Sequence, residues 1–301
     1  MNIPKFTVRQ ALTAMDLSDS DNSILEYIDF LNREIRFDSI FFLHVIRKPS
    51  FFSSLFSKNS SALQSQFILN EDILKHFISD VEGKLSNLEN INVEYEVCEG
   101  EPVQEIIEKI NEHHVDLVII GKKSASETSG LLVKSLARRS PCSVLFVPAV
   151  AEKKLKTILV PVDFSENSGR ALQKALEINH TLDKPAKIIS LHVFDMPDLS
   201  YYKINKTYEQ LKEIIEADMN EAFDNFLEKY VPNLKDIVEK KVHERSQQST
   251  AGHLNSLALD YEADLIVIGA KGHSTIEIIL LGSVTEKFIY SNDSIPTLIV
   301  R

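Results

Sequence analysis

The chain has 301 residues, enough for two domains of about 150 residues each. Hydrophobic residues make up 44% and charged residues 26%, as in an ordinary globular protein, and a net charge of −11 argues against a nucleic-acid backbone or an anionic membrane as the main partner, since these need a basic face. The sequence has no apolar run of membrane-spanning length and no signal-type apolar core in its opening MNIPKFTVRQ, and its two cysteines, Cys98 and Cys142, lack metal-like spacing and suit a reducing cytoplasm.

In chain order, strand and helix signals alternate twice. Apolar runs near 10–15, 39–46, 91–97, 116–120 and 143–147 predict strands, and segments near 21–34, 62–88, 102–113 and 131–139 predict helices. A boundary falls near Val150, dividing the chain into domains 1–150 and 151–301. Strands are then expected near 156–162, 187–194, 237–242, 264–268 and 296–300, and helices near 166–180, 206–230, 249–261 and 283–291. This alternation implies α/β domains with right-handed crossovers, each a parallel sheet with helices on both faces. Two loops break the pattern. Residues 50–61 carry Phe51, Phe52, Leu55 and Phe56 among serines, and read as a flap folded back on its domain or as a partner patch. Residues 196–206, with Tyr201 and Tyr202, are a candidate lid.

The halves repeat. Leu43-His44-Val45 recurs as Leu191-His192-Val193, and Asp116 to Gly121 recurs as Asp264 to Gly269, both at an offset of 148. Asp16-Leu17-Ser18 answers Asp163-Phe164-Ser165 at an offset of 147. The chain is a tandem duplication.

Its chemistry concentrates between Asp264 and Arg301. The buried-strand run Leu265 to Ile268 ends at Gly269; Gly272 follows, and Gly282-Ser283 opens the next helical segment. Gly269 and Gly272 are expected to turn the chain outward through positive φ and to let a ligand approach the backbone. The unpaired N–H groups at the helix start, with the Ser283 hydroxyl, favour an anion such as phosphate. Ordinary turn glycines are the alternative, but three of only nine glycines fall in this strand-to-helix context.

The spacing Gly269-x2-Gly272-x9-Gly282-Ser283, with Gly272-His273-Ser274 and Leu281 to Lys287 around it, resembles the ATP-binding branch of the universal stress protein family. The resemblance spans nearly the whole chain, most clearly in the second half. It implies Rossmann-like domains of the adenine-nucleotide alpha hydrolase type, five parallel strands each, in the order 3-2-1-4-5. It implies ATP as ligand, magnesium as a phosphate counter-ion, and little or no turnover. The family's dimer would be imitated by the two halves, an intramolecular pseudo-dimer meeting through the fifth strands, with a homodimer also open. Adenine nucleotide is then the expected partner, without nucleic acid or membrane.

In such a sheet the ligand sits outside the carboxyl ends of the strands, between the first and fourth. Pro161 and Val162 bring Asp163 there, to bond the adenine or ribose end; a helix-cap role for Asp163, in competition with Ser165, is the alternative. Val193 would flank the adenine, and Val242 stands where the family places backbone contacts to it, although Arg245 and Ser246 occupy the place of the family's following glycine. Lys271, Gly272, His273, Gly282, Ser283, Val284 and Thr285 complete the phosphate side. His192 is read as packed and hydrogen-bonded. No Walker loop, dinucleotide fingerprint, zinc-protease helix or nucleophile elbow is present. No general base stands by the phosphates, so at most weak hydrolysis is expected.

The first half keeps Gly121 but has Ser124 in place of Gly272, and Gly130 is out of register with Gly282. Pro141 answers Pro296 at an offset of 155, so this loop and helix are seven residues shorter than in the second half. One nucleotide site per chain is expected, in the second half. A slow ATPase or nucleotidyl-transferring enzyme, and a scaffold that binds no nucleotide, are the competing functions.

Overall fold

The computed structural model describes residues 3–18, 21–47, 62–86, 91–122, 127–197, 206–270 and 281–301, with the backbone alone over 62–70 and 127–129. Two compact units divide the chain, one of residues 6–153 and one built on residues 154–301.

The first unit contains β1 (Thr7–Val8), β2 (Ala11–Met15), α1 (Asp21–Glu34), β3 (Arg36–Phe37), β4 (Ser39–Ile46), α2 (Ala62–Glu82), β5 (Asn92–Glu99), α3 (Pro102–Glu112), β6 (Leu117–Lys122), α4 (Glu127–Arg139) and β7 (Ser143–Pro148). Its main sheet is parallel, in the order β5-β4-β2-β6-β7. A two-residue ribbon pairs β1 with β3.

The second unit contains β8 (Thr157–Pro161), α5 (Glu166–Thr181), β9 (Lys187–Phe194), α6 (Tyr208–Tyr230), a 3-10 turn (Lys235–Ile237), β10 (Val238–Glu244), α7 (Thr250–Asp260), β11 (Leu265–Gly269), α8 (Ser283–Ser291) and β12 (Thr297–Val300). Its sheet is parallel in the order β10-β9-β8-β11-β12. Each sheet therefore has the order 3-2-1-4-5, and each reverses direction between its first and fourth strands.

The sequence explains these elements locally. Leu265 to Ile268 is an unbroken apolar run because β11 is covered on both faces: every residue of the strand is buried. Each such side chain contributes about 1.5–3 kcal/mol of hydrophobic stabilisation. The helices carry their own start signals. Ser165 caps α5 by accepting from the Ser168 N–H, Thr207 and Gln210 form a capping box on α6, and Ser249 caps α7 by accepting from the Gly252 N–H.

The aspartate that repeats ahead of each fourth strand has a structural task. Asp264 is buried, and its Oδ2 accepts from the N–H groups of Lys156 (2.8 Å) and Thr157 (3.0 Å), at the entrance of β8. Lys154 pairs with the other oxygen at 3.2 Å. Asp116 does the same for the first unit, accepting from the N–H groups of Arg9 and Gln10. Helices α3 and α7 each end through a left-handed non-glycine residue, His114 (φ 52°) and Glu262 (φ 52°), again 148 residues apart.

Two helices differ from expectation. Helix α2 ends at Glu82 rather than near 88, and α4 begins at Glu127 rather than near 131, so that Gly130 lies inside it. The β1–β3 ribbon, two residues per strand, is too short to leave a periodic signal. Residues 50–61 and the tyrosines at 201–202 lie outside the described residues. Among the described residues no helix is long and apolar enough to cross a membrane.

Candidate nucleotide site

A cavity of about 330 Å³ opens at the carboxyl end of the second sheet. Its floor is the switch point between β8 and β11, the place where strand order reverses and a doubly wound sheet opens a crevice. Its size falls at the lower end of small-molecule pockets.

Strand β8 ends in Pro161 and delivers Val162 and Asp163 to one wall. Ser165, not Asp163, is the cap of α5. The Asp163 carboxylate instead closes an Asx turn, its Oδ1 accepting from the Ser165 N–H at 3.1 Å. Phe164 between them adopts φ 64°, a left-handed conformation that bulky residues rarely take, and its first-unit counterpart Leu17 does so too (φ 59°). The Phe164 ring is held by His192, Phe223 and Phe226, with centroids 4.3, 5.5 and 5.8 Å away. Packing thus offsets the backbone strain that turns Asp163 towards the cavity wall.

His192 also lines the cavity. Its Nδ1 bonds the Val162 carbonyl at 2.7 Å, and burial pushes its pKa below the usual histidine range, partly offset by that hydrogen bond and by Asp163. At neutral pH it is an uncharged ring, Nδ1–H donating and Nε2 left as acceptor.

The opposite wall is the start of α8. Gly282 is its cap residue (φ −60°, ψ 140°) and has no side chain to bond the N–H groups of the first turn. Ser283, Val284 and Thr285 line the cavity beside it. The Thr285 hydroxyl is spent within the protein, donating to the Gly269 carbonyl at 3.2 Å and pinning α8 to the end of β11.

Gly269 works differently from expectation. Among the described residues no glycine has positive φ. The constraint at Gly269 is space: a Cβ there would stand 2.7 Å from the Asn167 carbonyl oxygen and 2.8 Å from its carbon. Glycine lets the first turn of α5 lie directly on β11.

Pro161, Val162, Asp163, Val193, Gly269, Gly282, Ser283, Val284 and Thr285 all border this one cavity. Val242 does not: β10 is the edge strand, two strands removed from the switch point. There Arg245 clamps the strand ends. Its N–H donates to the Phe194 carbonyl (2.7 Å), its guanidinium pairs with Asp195, and Nη1 donates to the Gln248 carbonyl (3.0 Å). Glu244 ties the same corner to α6 through Tyr208 and Lys212. Lys271, Gly272 and His273 lie outside the described residues.

The sequence pattern did not single out Ser168, Leu191, Thr250, Leu254 or Ile268, which complete the lining. Thr250 carried a usable signal, standing directly behind Ser249 at a helix start that faces the strand ends.

Comparison with known proteins agrees with this architecture. The model of the universal stress protein family matches residues 7–148 and again residues 154–301. Universal stress protein MJ0531 of Methanocaldococcus jannaschii is 30% identical over 151 residues, covering 50% of this chain and 84% of that protein. Universal stress protein MJ0577 of the same organism is 30% identical over 156 residues, 48% of this chain and 94% of its own length. The crystal structure of a universal stress protein from Archaeoglobus fulgidus covers 99% of this chain and 97% of its own, with a TM-score of 0.64 at 19% identity, a likeness of fold. The chain belongs to the universal stress protein family and carries the family's domain twice.

Proposed function

We propose that the protein is a cytoplasmic, nucleotide-dependent stress-response regulator that binds one ATP in its second unit. The observation that carries this is the convergence of Asp163, from the end of β8, and the uncapped first turn of α8 on one cavity at the switch point. Asp163 accepts from the sugar or base of the nucleotide, and the α8 N-terminus with Ser283 receives phosphate. His192, neutral and already donating to Val162, is a wall rather than a proton carrier. Turnover in this reading is weak or nil. Among the described residues no group of three His, Cys, Asp or Glu is placed to hold a metal, so magnesium would arrive with the phosphates it neutralises.

In the first unit Gly121 is followed by only five residues (122–126) before α4, whereas thirteen (270–282) separate Gly269 from α8. The shorter connection argues for a single nucleotide per chain. The tandem chain is read as a family dimer in one polypeptide, and sedimentation giving one chain per particle is the expected result; two would assign a homodimer.

The direct test is calorimetry with magnesium-ATP on Asp163→Ala and on its repeat counterpart Asp16→Ala. Asp163→Ala is expected to weaken binding about tenfold, the cost of one hydrogen bond to a charged acceptor, and Asp16→Ala to leave it unchanged. Equal affinity in the two variants would refute the assignment.

A further inference from the structure

His192 stands at one end of the cavity in the second unit. Strands β9, β8 and β11 are neighbours in that order. With strands about 4.8 Å apart, His192 on β9 lies about 10 Å across the crevice from Gly269 on β11, the residue to which Thr285 ties α8. Asp163, which follows β8, stands between them. A nucleotide carries base, sugar and phosphate in line. With the phosphates at α8, the base falls on the β9 side, beside His192.

The polar edge that His192 offers there is fixed by its bonding. Nδ1 meets the Val162 carbonyl oxygen at 2.7 Å. A carbonyl only accepts, so Nδ1 carries the proton. The half-buried ring is uncharged at neutral pH, which leaves Nε2 as a lone-pair acceptor. Among the described residues Nε2 has no hydrogen-bond partner, and the ring lines the cavity. The Phe164 ring lies 4.3 Å from it and is itself held by Phe223 and Phe226, so a stack and a hydrogen bond together set the orientation. Val193 and Leu254 add apolar surface to the same cavity, suited to the faces of a planar base. His44 makes the same bond in the first unit, Nδ1 to the Met15 carbonyl at 2.9 Å. The Nδ1 side therefore belongs to the repeated fold, and the Nε2 side is the one a ligand can use.

We propose that His192 Nε2 selects the base: it accepts from the exocyclic amine of a 6-aminopurine and disfavours a 6-oxopurine, an inference that rests on the proposed nucleotide site. Adenine presents N–H donors at that position, whereas an oxopurine presents a carbonyl oxygen. Two lone pairs would then face each other, and a sheltered acceptor would go without its partner.

Calorimetry on the full chain with magnesium-ATP and magnesium-inosine triphosphate tests this, since inosine carries the carbonyl oxygen in place of the amine. Wild type is expected to favour ATP about thirtyfold. In His192→Asn the shorter amide can still donate to the Val162 carbonyl but has no counterpart of Nε2; the preference is expected to fall to about threefold or less, chiefly by weaker ATP binding. His192→Gln, whose amide can turn either its oxygen or its NH2 to the base, is expected to lose the preference as well. His44→Asn, in the other unit, is expected to keep it. A purely structural role would weaken both nucleotides alike and leave their ratio unchanged. The inference is overturned if wild type binds the two nucleotides equally, or if His192→Asn keeps the wild-type ratio; should His192→Asn not fold, a wild-type ratio in His192→Gln overturns it. In each of these cases ATP still binds and the nucleotide site stands. If neither nucleotide binds wild type at millimolar concentration, the nucleotide site falls and this inference with it.

Discussion

Gly121 and Gly269 occupy the same place in the repeat, yet the structure assigns them opposite sensitivities. At Gly269 an added Cβ would meet the Asn167 carbonyl oxygen at 2.7 Å, its carbon at 2.8 Å and its Cβ at 3.0 Å. Two of these atoms are backbone in the first turn of α5 and cannot rotate away, so the helix itself must move by several tenths of an ångström. Overpacking of this kind costs about 1–3 kcal/mol. At Gly121 the nearest atom is the Ile24 Cδ1, 3.6 Å away, an ordinary contact with a side chain. Its φ is not positive, so alanine there gains a little from the lost freedom of the unfolded chain, about 0.4–1 kcal/mol. In scanning calorimetry of the full chain, Gly269→Ala should lower the melting temperature of the affected transition by about 2–12 °C, taking 2–4 °C per kcal/mol for units of this size. Gly121→Ala should leave it unchanged or raise it slightly. Gly269→Ala should also weaken ATP binding, because α5 carries the turn that presents Asp163. Equal losses in the two variants would refute the steric argument.

Other consequences can be checked alongside. Asp264→Ala strips the backbone N–H groups of Lys156 and Thr157, at the entrance of β8, of a charged acceptor and should cost about 3 kcal/mol in urea unfolding; a loss below about 1 kcal/mol would mean that water replaces the carboxylate. His192 and His243 are both held below their ordinary pKa of 6.5, chiefly by burial. Between the folded and ordinary values the unfolded chain binds the extra protons, so stability should fall as pH drops below 6.5 towards the folded values. His192→Gln should flatten that slope in melts between pH 7 and 5, and an unchanged slope would exclude His192 as a source. Arg245→Ala should loosen the β9–β10 corner, read as faster amide exchange at Phe194 to Gln248 with nucleotide affinity little changed; a large loss of affinity would show that the corner is part of the site.

The strand–helix alternation was legible because the inner strands of each sheet, β2 and β6 in the first and β8 and β11 in the second, are short apolar runs that are almost wholly buried. Strands β4 and β9 and helices α1 and α8 have the bounds that periodicity predicts. Helix α4 begins at Glu127, ahead of the expected start near 131, and so takes in Gly130, a residue of low helix propensity. At the site, the aspartate and glycine positions were visible as a repeat. The reason for Gly269 was not: the spacing suggested a backbone turn, and the cause is the carbonyl of Asn167, a neighbour 102 positions away in sequence. Sequence likewise marked Val242 as a ligand wall, but only the sheet order reveals how far β10 stands from the crevice.

The central claim, one working nucleotide site per chain, is tested most directly by the stoichiometry of magnesium-ATP binding to the purified full chain after co-purified nucleotide has been removed. The account predicts one ATP per chain, abolished by Gly282→Trp and untouched by Gly121→Trp. Two per chain, or none, would contradict it.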